Sequence, residues 1–536
     1  LPGSRHLAMS PATHAPFSTT RSPHHMVASA DGLATQAGLA ALAAGGNAVD
    51  AAIATNAAIA VTGPHLCGMG GDLFALVHDG GIGTVHCLNS SGRSGSGASA
   101  EALRADGFTE MPFRHDIRTV TIPGCVDGWV ALHERFGSLP LATILAPAIS
   151  LADDGFPASP LLVGSVARLD PRGRETLQEL AGQAHRPGER VRRPGVAASL
   201  RAIAEGGRDA FYGGAFGEGL LQLGAGWFTA ADLARTQADW VDPLHAEAWG
   251  VDLWTVPPNS QGYLTLAAAL LADNLDLPAD PHDELWAHLL IEAAKVAGHD
   301  RPQVLHAAAD GAALLRSIPG RAHLLNTEEA AQWPFVSRRG DTTYLCTTDA
   351  KGMGVSLIQS NASGFGSWLV EPSTQINLHN RGLGFSLEQG HPAELAPATR
   401  PPHTLSPALA TRDGELAAVF GTMGGDAQPQ ILLQLAARLF HHEQSPAMAM
   451  QAGRWALSGP VTGFDTWTAP TGPIVEIEGH APAEWAAALT ARGHTVEVRP
   501  AFDSDFGHAQ VIVRDHGGFW AGATDPRARV GSVAGG

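Results

Sequence analysis

The sequence predicts a layered α/β sandwich. Three observations point there: a strand hairpin beginning at Thr342, many further short strands and helices that do not alternate regularly, and enough apolar residues for a sizeable core. The chain has 536 residues, 44 % of them hydrophobic and 16 % charged, which is the composition of a globular protein large enough for two to four ordinary domains or one large body. No internal repeat is visible.

Taken in order, residues 1–25 are rich in Ser, Pro, Thr and His and hold no apolar run fit for a signal-peptide core, so export is not expected and Met9 is a candidate start. Residues 34–44 carry a helical pattern closed by Gly45-Gly46, and Asn47 is placed to cap a second, Ala- and Ile-rich helix over 48–61. The Gly-rich stretch 63–72 precedes a strand at 73–78, a turn at 79–81 and a strand at 84–88. Its glycines do not stand between a strand and a helix, so a phosphate cradle is not the expected use. Helical patterns follow within 122–129, 146–149 and 202–212. A short strand at 254–256 then leads through Pro257-Pro258-Asn259-Ser260-Gln261-Gly262 into helices at 263–271 and 285–297. The least regular segment, 318–339, ends just before the hairpin. Beyond the hairpin come a turn-rich loop at 361–366, a strand at 416–420 feeding Gly421-Thr422-Met423-Gly424-Gly425-Asp426, and two strand pairs, 474–477 with 496–498 and 509–513 with 518–523.

Net charge is −18 and the cations are nearly all Arg, Lys295 and Lys351 being the only lysines. A dispersed acidic balance argues against a nucleic-acid or anionic-membrane partner, and no window is long and apolar enough for a membrane span. Cys67, Cys87, Cys125 and Cys346 lack metal-ligand spacing and read as reduced core residues of a cytoplasmic protein. The 25 histidines are scattered, so no metal is expected.

The chemistry is sought at Asp341-Thr342-Thr343. Alone, a Thr-Thr pair in a strand is a structural feature. If the bond before Thr342 were cut, however, Thr342 would carry a free α-amine of pKa roughly 7.7–8.0 beside its own hydroxyl, a base and nucleophile in one residue.

The motifs Gly45-Gly46-Asn47-Ala48-Val49-Asp50-Ala51, Gly68-Met69-Gly70-Gly71-Asp72, 202–212, 257–262, Asp341-Thr342-Thr343, Gly424-Gly425 and Asp525-Pro526-Arg527 occur in the order of one known family. On them the chain resembles the γ-glutamyltranspeptidase-type N-terminal-nucleophile hydrolases over about 26–531, with features of the cephalosporin-acylase-like branch. The resemblance implies a four-layer αββα sandwich and a precursor that cuts itself between Asp341 and Thr342. Its large subunit, 1–341, and small subunit, 342–536, would interleave in one body. It also implies catalytic roles for Thr342, for Ser360 as the hydroxyl bonded to it, and for the Gly424 and Gly425 N–H groups as the oxyanion hole. Arg93, Arg381, His403 and Thr404 are implied at the donor carboxylate. No cofactor is implied.

Where typical transpeptidases place an acid for the donor ammonium, this chain has Arg381 and Gly384, and Ala362 stands where the family has an Asn. The expected activity is therefore cleavage of a glutaryl-like or small oxo-acid amide through a Thr acyl-enzyme, with hydrolysis favoured over transfer. A glutathione hydrolase or transpeptidase is the alternative within the family, and an inactive scaffold the alternative of another class.

Overall fold

Strands Thr343–Thr348 and Gly354–Ser360 pair antiparallel with Thr343 opposite Gln359, so the predicted hairpin forms and Thr342 stands one residue ahead of its first strand. The computed structural model describes residues 18–331, 340–458 and 473–536. It is a mixed α/β structure with two seven-stranded sheets and three smaller ones.

The first sheet runs Ser532–Gly535, Met26–Ser29, Thr343–Thr348, Gly354–Ser360, Asp72–Asp79, Thr84–Ser90, Asp239–Val241. The second runs Thr20–Ser22, Trp520–Thr524, Gln510–Arg514, Glu415–Gly421, Ala408–Arg412, Val251–Thr255, Leu244–Ala248. Every neighbouring pair in both is antiparallel. In both sheets strands from before position 341 pair with strands from after it, Met26–Ser29 lying between Ser532–Gly535 and Thr343–Thr348.

Strand periodicity sorts the core. Phe74, Leu76, Tyr344, Cys346 and Ile358 of the first sheet share one apolar cluster with Leu409, Val419 and Ile512 of the second. Their sequence neighbours Leu73, Ala75, Leu345 and Leu357 join a second cluster with Val49, Ile53 and Ala57 of helix Ala48–Thr62. In the second sheet Ala408, Ala418, Phe420 and Val511 join a third, with residues of helices Tyr263–Asp273, Glu284–Gly298 and Gln428–Ala436.

Asn47 does cap its helix, in a reciprocal box with Asp50, and Gly45 ends the preceding helix at φ 92°. The pattern at 202–212 belongs to a longer helix, Pro194–Tyr212, interrupted at Gly207. The strands at 474–478 and 495–499 are parallel, joined through helix Ala483–Ala491. Within the irregular stretch 318–339, Pro319–Leu324 is a 3₁₀ turn and 332–339 lies outside the described residues. Among the described residues no helix is long and apolar enough to cross a membrane. The four cysteines are buried and unbonded to one another.

Candidate active site

The register that places Thr343 opposite Gln359 and Ser360 opposite Asp72 lines up Thr342, Ser360 and Asp72 across three adjacent strands at one end of the first sheet. Thr342 Oγ1 donates to Ser360 Oγ at 3.1 Å, and Ser360 Oγ donates to the carbonyl oxygen of Asp341 at 2.7 Å. Ser360 Oγ also accepts from the Ala362 N–H at 2.8 Å, which fixes its rotor. Thr342 and Ser360 are each 1 % exposed. The Asp341 N–H bonds back to the Ala362 carbonyl, so the junction is held as an extension of the hairpin. Burial pushes the Asp341 carboxyl up to about 6, against Arg168, the Gly364 N–H and Arg114, which pull it down.

The glycines before Asp72 serve close packing. A Cβ on Gly71 would overlap the Ser360 carbonyl, and one on Gly70 the Asn377 carbonyl. Gln359 clasps the same loop through both backbone groups of Gly68, at 2.9 and 2.8 Å.

Asp72 is fully buried and accepts from the Gly92 N–H at 2.9 Å and from His403 Nε2 at 3.1 Å, with His379 Nδ1 3.6 Å away. Burial alone would raise its carboxyl; His379, the His403 hydrogen bond and Arg381 outweigh it and hold it at about 2. His403 is pushed down to about 3 by burial and then by Arg381, so its ring is neutral at pH 7. Its Nδ1 accepts from the Leu405 N–H, which makes Nε2 the protonated nitrogen facing Asp72.

Arg381, on the turn Arg381–Gly384, is buried, and its Nη1 donates to Thr404 Oγ1 at 3.2 Å. Burial lowers it to about 10, with Asp72 and Asp426 opposing. Arg381 therefore stands in the field of carboxylates distant in sequence, Asp72 and Asp426. Arg93 has one as well: its Nη2 donates to Asp239 at 2.5 Å, and Arg400 donates to the same oxygen at 2.7 Å.

Gly424 and Gly425 follow strand Glu415–Gly421 with φ 140° and 57°, backbone open to glycine. Gln261 Nε2 ties this turn to the donor side, donating to the carbonyls of Gly425 and Thr404, both at 2.9 Å. Asp72 and Gln261 lay inside motifs visible in the sequence, but only the fold shows what they hold. The structure thus brings Thr342, Ser360 and Asp341 into direct contact, joins Arg381 to Thr404, and links Thr404 to Gly425, while the guanidinium of Arg93 is turned to Asp239.

One histidine group escapes the expectation of scattered histidines. His288, Glu292 and His494 converge with metal-ligand geometry. The ammonium of Lys295 sits among them, 2.8 Å from Glu292 Oε1 and 3.3 Å from His494 Nδ1, and supplies the charge a cation would.

Three comparisons bear on this site. The gamma-glutamyltranspeptidase family profile matches residues 34–535. The chain is 36 % identical to the oxamate amidohydrolase proenzyme of Klebsiella pneumoniae, over 97 % of this chain and 99 % of that protein. It is 34 % identical to the glutathione hydrolase-like YwrD proenzyme of Bacillus subtilis, over 94 % and 97 %. In structure it overlays the cephalosporin acylase of Bacillus halodurans with a TM-score of 0.89 at 34 % identity, covering 98 % of each chain. Matched by the family profile over 34–535 and by relatives of 34–36 % identity over nearly their full length, the chain belongs to the gamma-glutamyltranspeptidase family.

Proposed function

We propose that this protein is a self-processed acyl-amide hydrolase whose nucleophile is Thr342. The observation that carries the reading is the Ser360 hydroxyl, which touches the Thr342 Oγ1 and the Asp341 carbonyl oxygen at once. In the uncut chain Thr342 Oγ1 attacks the Asp341 carbonyl, the peptide nitrogen leaves as the free Thr342 amine to give an ester, and water hydrolyses that ester to the Asp341 carboxylate and the free Thr342 hydroxyl. That amine then takes the Oγ1 proton as the hydroxyl attacks an amide substrate, and water resolves the acyl-enzyme. The N–H groups of Gly424 and Gly425 serve the oxyanion, a contribution of roughly 3–4 kcal/mol for one such donor.

The products are fragments 1–341 and 342–536, and the pairing of strands from both in each large sheet supports one interleaved αββα body. The three apolar clusters, helix to sheet, sheet to sheet and sheet to helix, support the four-layer order. The four unpaired thiols support a reducing, cytoplasmic setting.

The donor is a small acyl group bearing a carboxylate and no ammonium, glutaryl-like or an oxo-acid. Arg381, Thr404, Arg93 and His403 surround its place, His403 acting through Asp72 because both its ring nitrogens are engaged. Arg93 and Arg400 share the carboxylate of Asp239, and Arg381 lies in the fields of Asp72 and Asp426, the latter paired with Arg301, four positive charges against three negative. The relatives named for oxamate and for cephalosporin acylation agree with a donor of this kind.

The test has two parts. Denaturing electrophoresis with terminal sequencing should show a fragment beginning at Thr342. Parallel assays of γ-glutamyl, glutaryl and oxamate amides on the processed protein should show the last two preferred. A small fragment beginning at any other residue would sink the assignment of the nucleophile.

A further inference from the structure

We propose that the hollow beside Asp341, formed by Arg114, Trp368, Phe113 and the Gly364 N–H, is the seat of the leaving amine and selects amines with a planar body and a carboxylate. The inference rests on Thr342 and its α-amine acting as proposed above.

Proton bookkeeping locates the seat. When Thr342 Oγ1 forms the ester and the amide C–N bond breaks, the proton taken by the α-amine passes to the departing nitrogen. That nitrogen must then lie within hydrogen-bond reach of Thr342 N, roughly 2.6–3.2 Å. In the uncut chain the group joined to Thr342 N is Asp341. The shell around Asp341 therefore becomes the shell around the leaving amine once the cut end withdraws.

That shell sets cations and a flat group beside a carboxyl. The Asp341 carboxyl accepts the Gly364 N–H and lies in the positive fields of Arg168 and Arg114, with burial and Asp505 acting against its charged form. The Gly364 carbonyl is held by the Trp368 indole N–H at 2.8 Å. The Arg114 guanidinium lies 3.8 Å from the centre of the Trp368 ring and 4.5 Å from that of Phe113. The Phe113 carbonyl is in turn held by Asn380 Nδ2 at 2.9 Å, and Asn380 also bonds Ser363, so the cation is fastened to the loop that follows Ser360.

Arg114 makes no ion pair with any described residue, and its Nε is buried without a hydrogen-bond partner. A cation so placed gains most from a carboxylate brought by a ligand. Phe113, Arg114 and Trp368 also line a cleft of about 540 Å³, ample for a small aromatic amine. The acids on its wall are occupied: Asp116 accepts from Arg118 at 2.8 Å, and Asp170 from the Gly173 N–H at 2.6 Å and from the His115 ring.

The experiment uses the processed full chain and has two readouts. By calorimetry, 4-aminobenzoate should bind at least about tenfold more tightly than aniline, and Arg114→Gln should erase the difference, as loss of one charge-assisted contact requires. In turnover, glutaryl-3-carboxy-4-nitroanilide and glutaryl-4-nitroanilide share an acyl group and differ in one leaving-group carboxylate. Arg114→Gln should lower kcat/KM about tenfold for the first and within twofold for the second. Arg114→Lys, which keeps the charge and loses the planar stack, should fall between. Equal binding of the two amines by the wild type, or equal losses on the two anilides in either variant, would overturn the proposal. If 4-aminobenzoate binding depends on Arg114 while neither anilide is cleaved, the seat stands and the reading of Thr342 falls.

Discussion

The hydroxyl of Ser360 stands between Thr342 and the carbonyl that precedes it, 3.1 Å from Thr342 Oγ1 and 2.7 Å from the Asp341 carbonyl oxygen. Because it accepts from one and donates to the other, it both orients the attacking oxygen and polarises the carbonyl. Ser360→Ala should slow self-cleavage by roughly 10²-fold, the loss of one preorganised donor, and Thr342→Ala should abolish it. A time course on denaturing gels measures both. Fragments accumulating in Ser360→Ala at the wild-type rate would contradict the role.

The glycine turn makes a second test. Gly424 holds φ 140°, where a side chain is strained, and a Cβ there would press on Ile431 Cδ1 at 3.2 Å. Gly424→Ala should tilt the N–H groups and lower kcat by roughly 10²–10³ in a protein that still folds. Unchanged kcat in the folded variant would remove the pair from the reaction.

The proposed donor choice follows from the surplus of Arg93, Arg400, Arg381 and Arg301 over Asp239, Asp72 and Asp426. A glutaryl anilide should be preferred to the γ-glutamyl anilide by at least about tenfold in kcat/KM, the extra ammonium being repelled. Restoring an acid at position 384 is not the way to reverse this, because a Cβ on Gly384 would overlap the Pro402 carbonyl. Arg381→Gln should narrow the preference instead. A wild-type preference for the γ-glutamyl compound would give the glutathione-type reading first place.

The Asp341 carboxyl supplies a pH test on the uncut chain. Its value near 6 lies above the ordinary 3.8, so the fold binds the proton more tightly than the unfolded chain does. The stability this lends is complete below about pH 3.8 and is lost as pH rises through 6, by at most about 3 kcal/mol at 1.36 kcal/mol per unit. Denaturant midpoints of Thr342→Ala and of Thr342→Ala with Asp341→Asn, taken at pH 4 and pH 7.5, should show the Asn form gaining on the other at the higher pH. An identical gap at both would mean that the carboxyl titrates normally.

Local signals carried the sequence reading far. The hairpin at Thr342, the Asn47 cap and the helix beginning at Tyr263 are set by residues a few positions apart, and each formed where expected. What the sequence hid is long-range. Strand Met26–Ser29 is flanked by strands more than 300 and 500 positions away and carries no turn signal of its own. Asp72 meets His403 across 331 positions, and Arg93 meets Asp239 across 146. Charge counting along the chain therefore missed both carboxylates. The cluster of His288, Glu292 and His494 was hidden likewise, two members coming from helix Glu284–Gly298 and the third from 206 positions beyond His288.

The position of Met26–Ser29, hydrogen-bonded on both edges to strands from the other side of the Thr342 junction, gives the proposed cut a direction in time. Before scission the chain reaches this sheet as a single molecule, at a rate that does not depend on concentration. Afterwards neither fragment can leave without stripping backbone hydrogen bonds from the other, so the assembled enzyme holds together on dilution. Once it is unfolded, however, the two pieces must find each other by second-order collision, in competition with aggregation of exposed strand edges. The hydrolase is thereby committed to a fold it can enter readily once, a state kept by the barrier to leaving it and no longer by a freely reversible equilibrium.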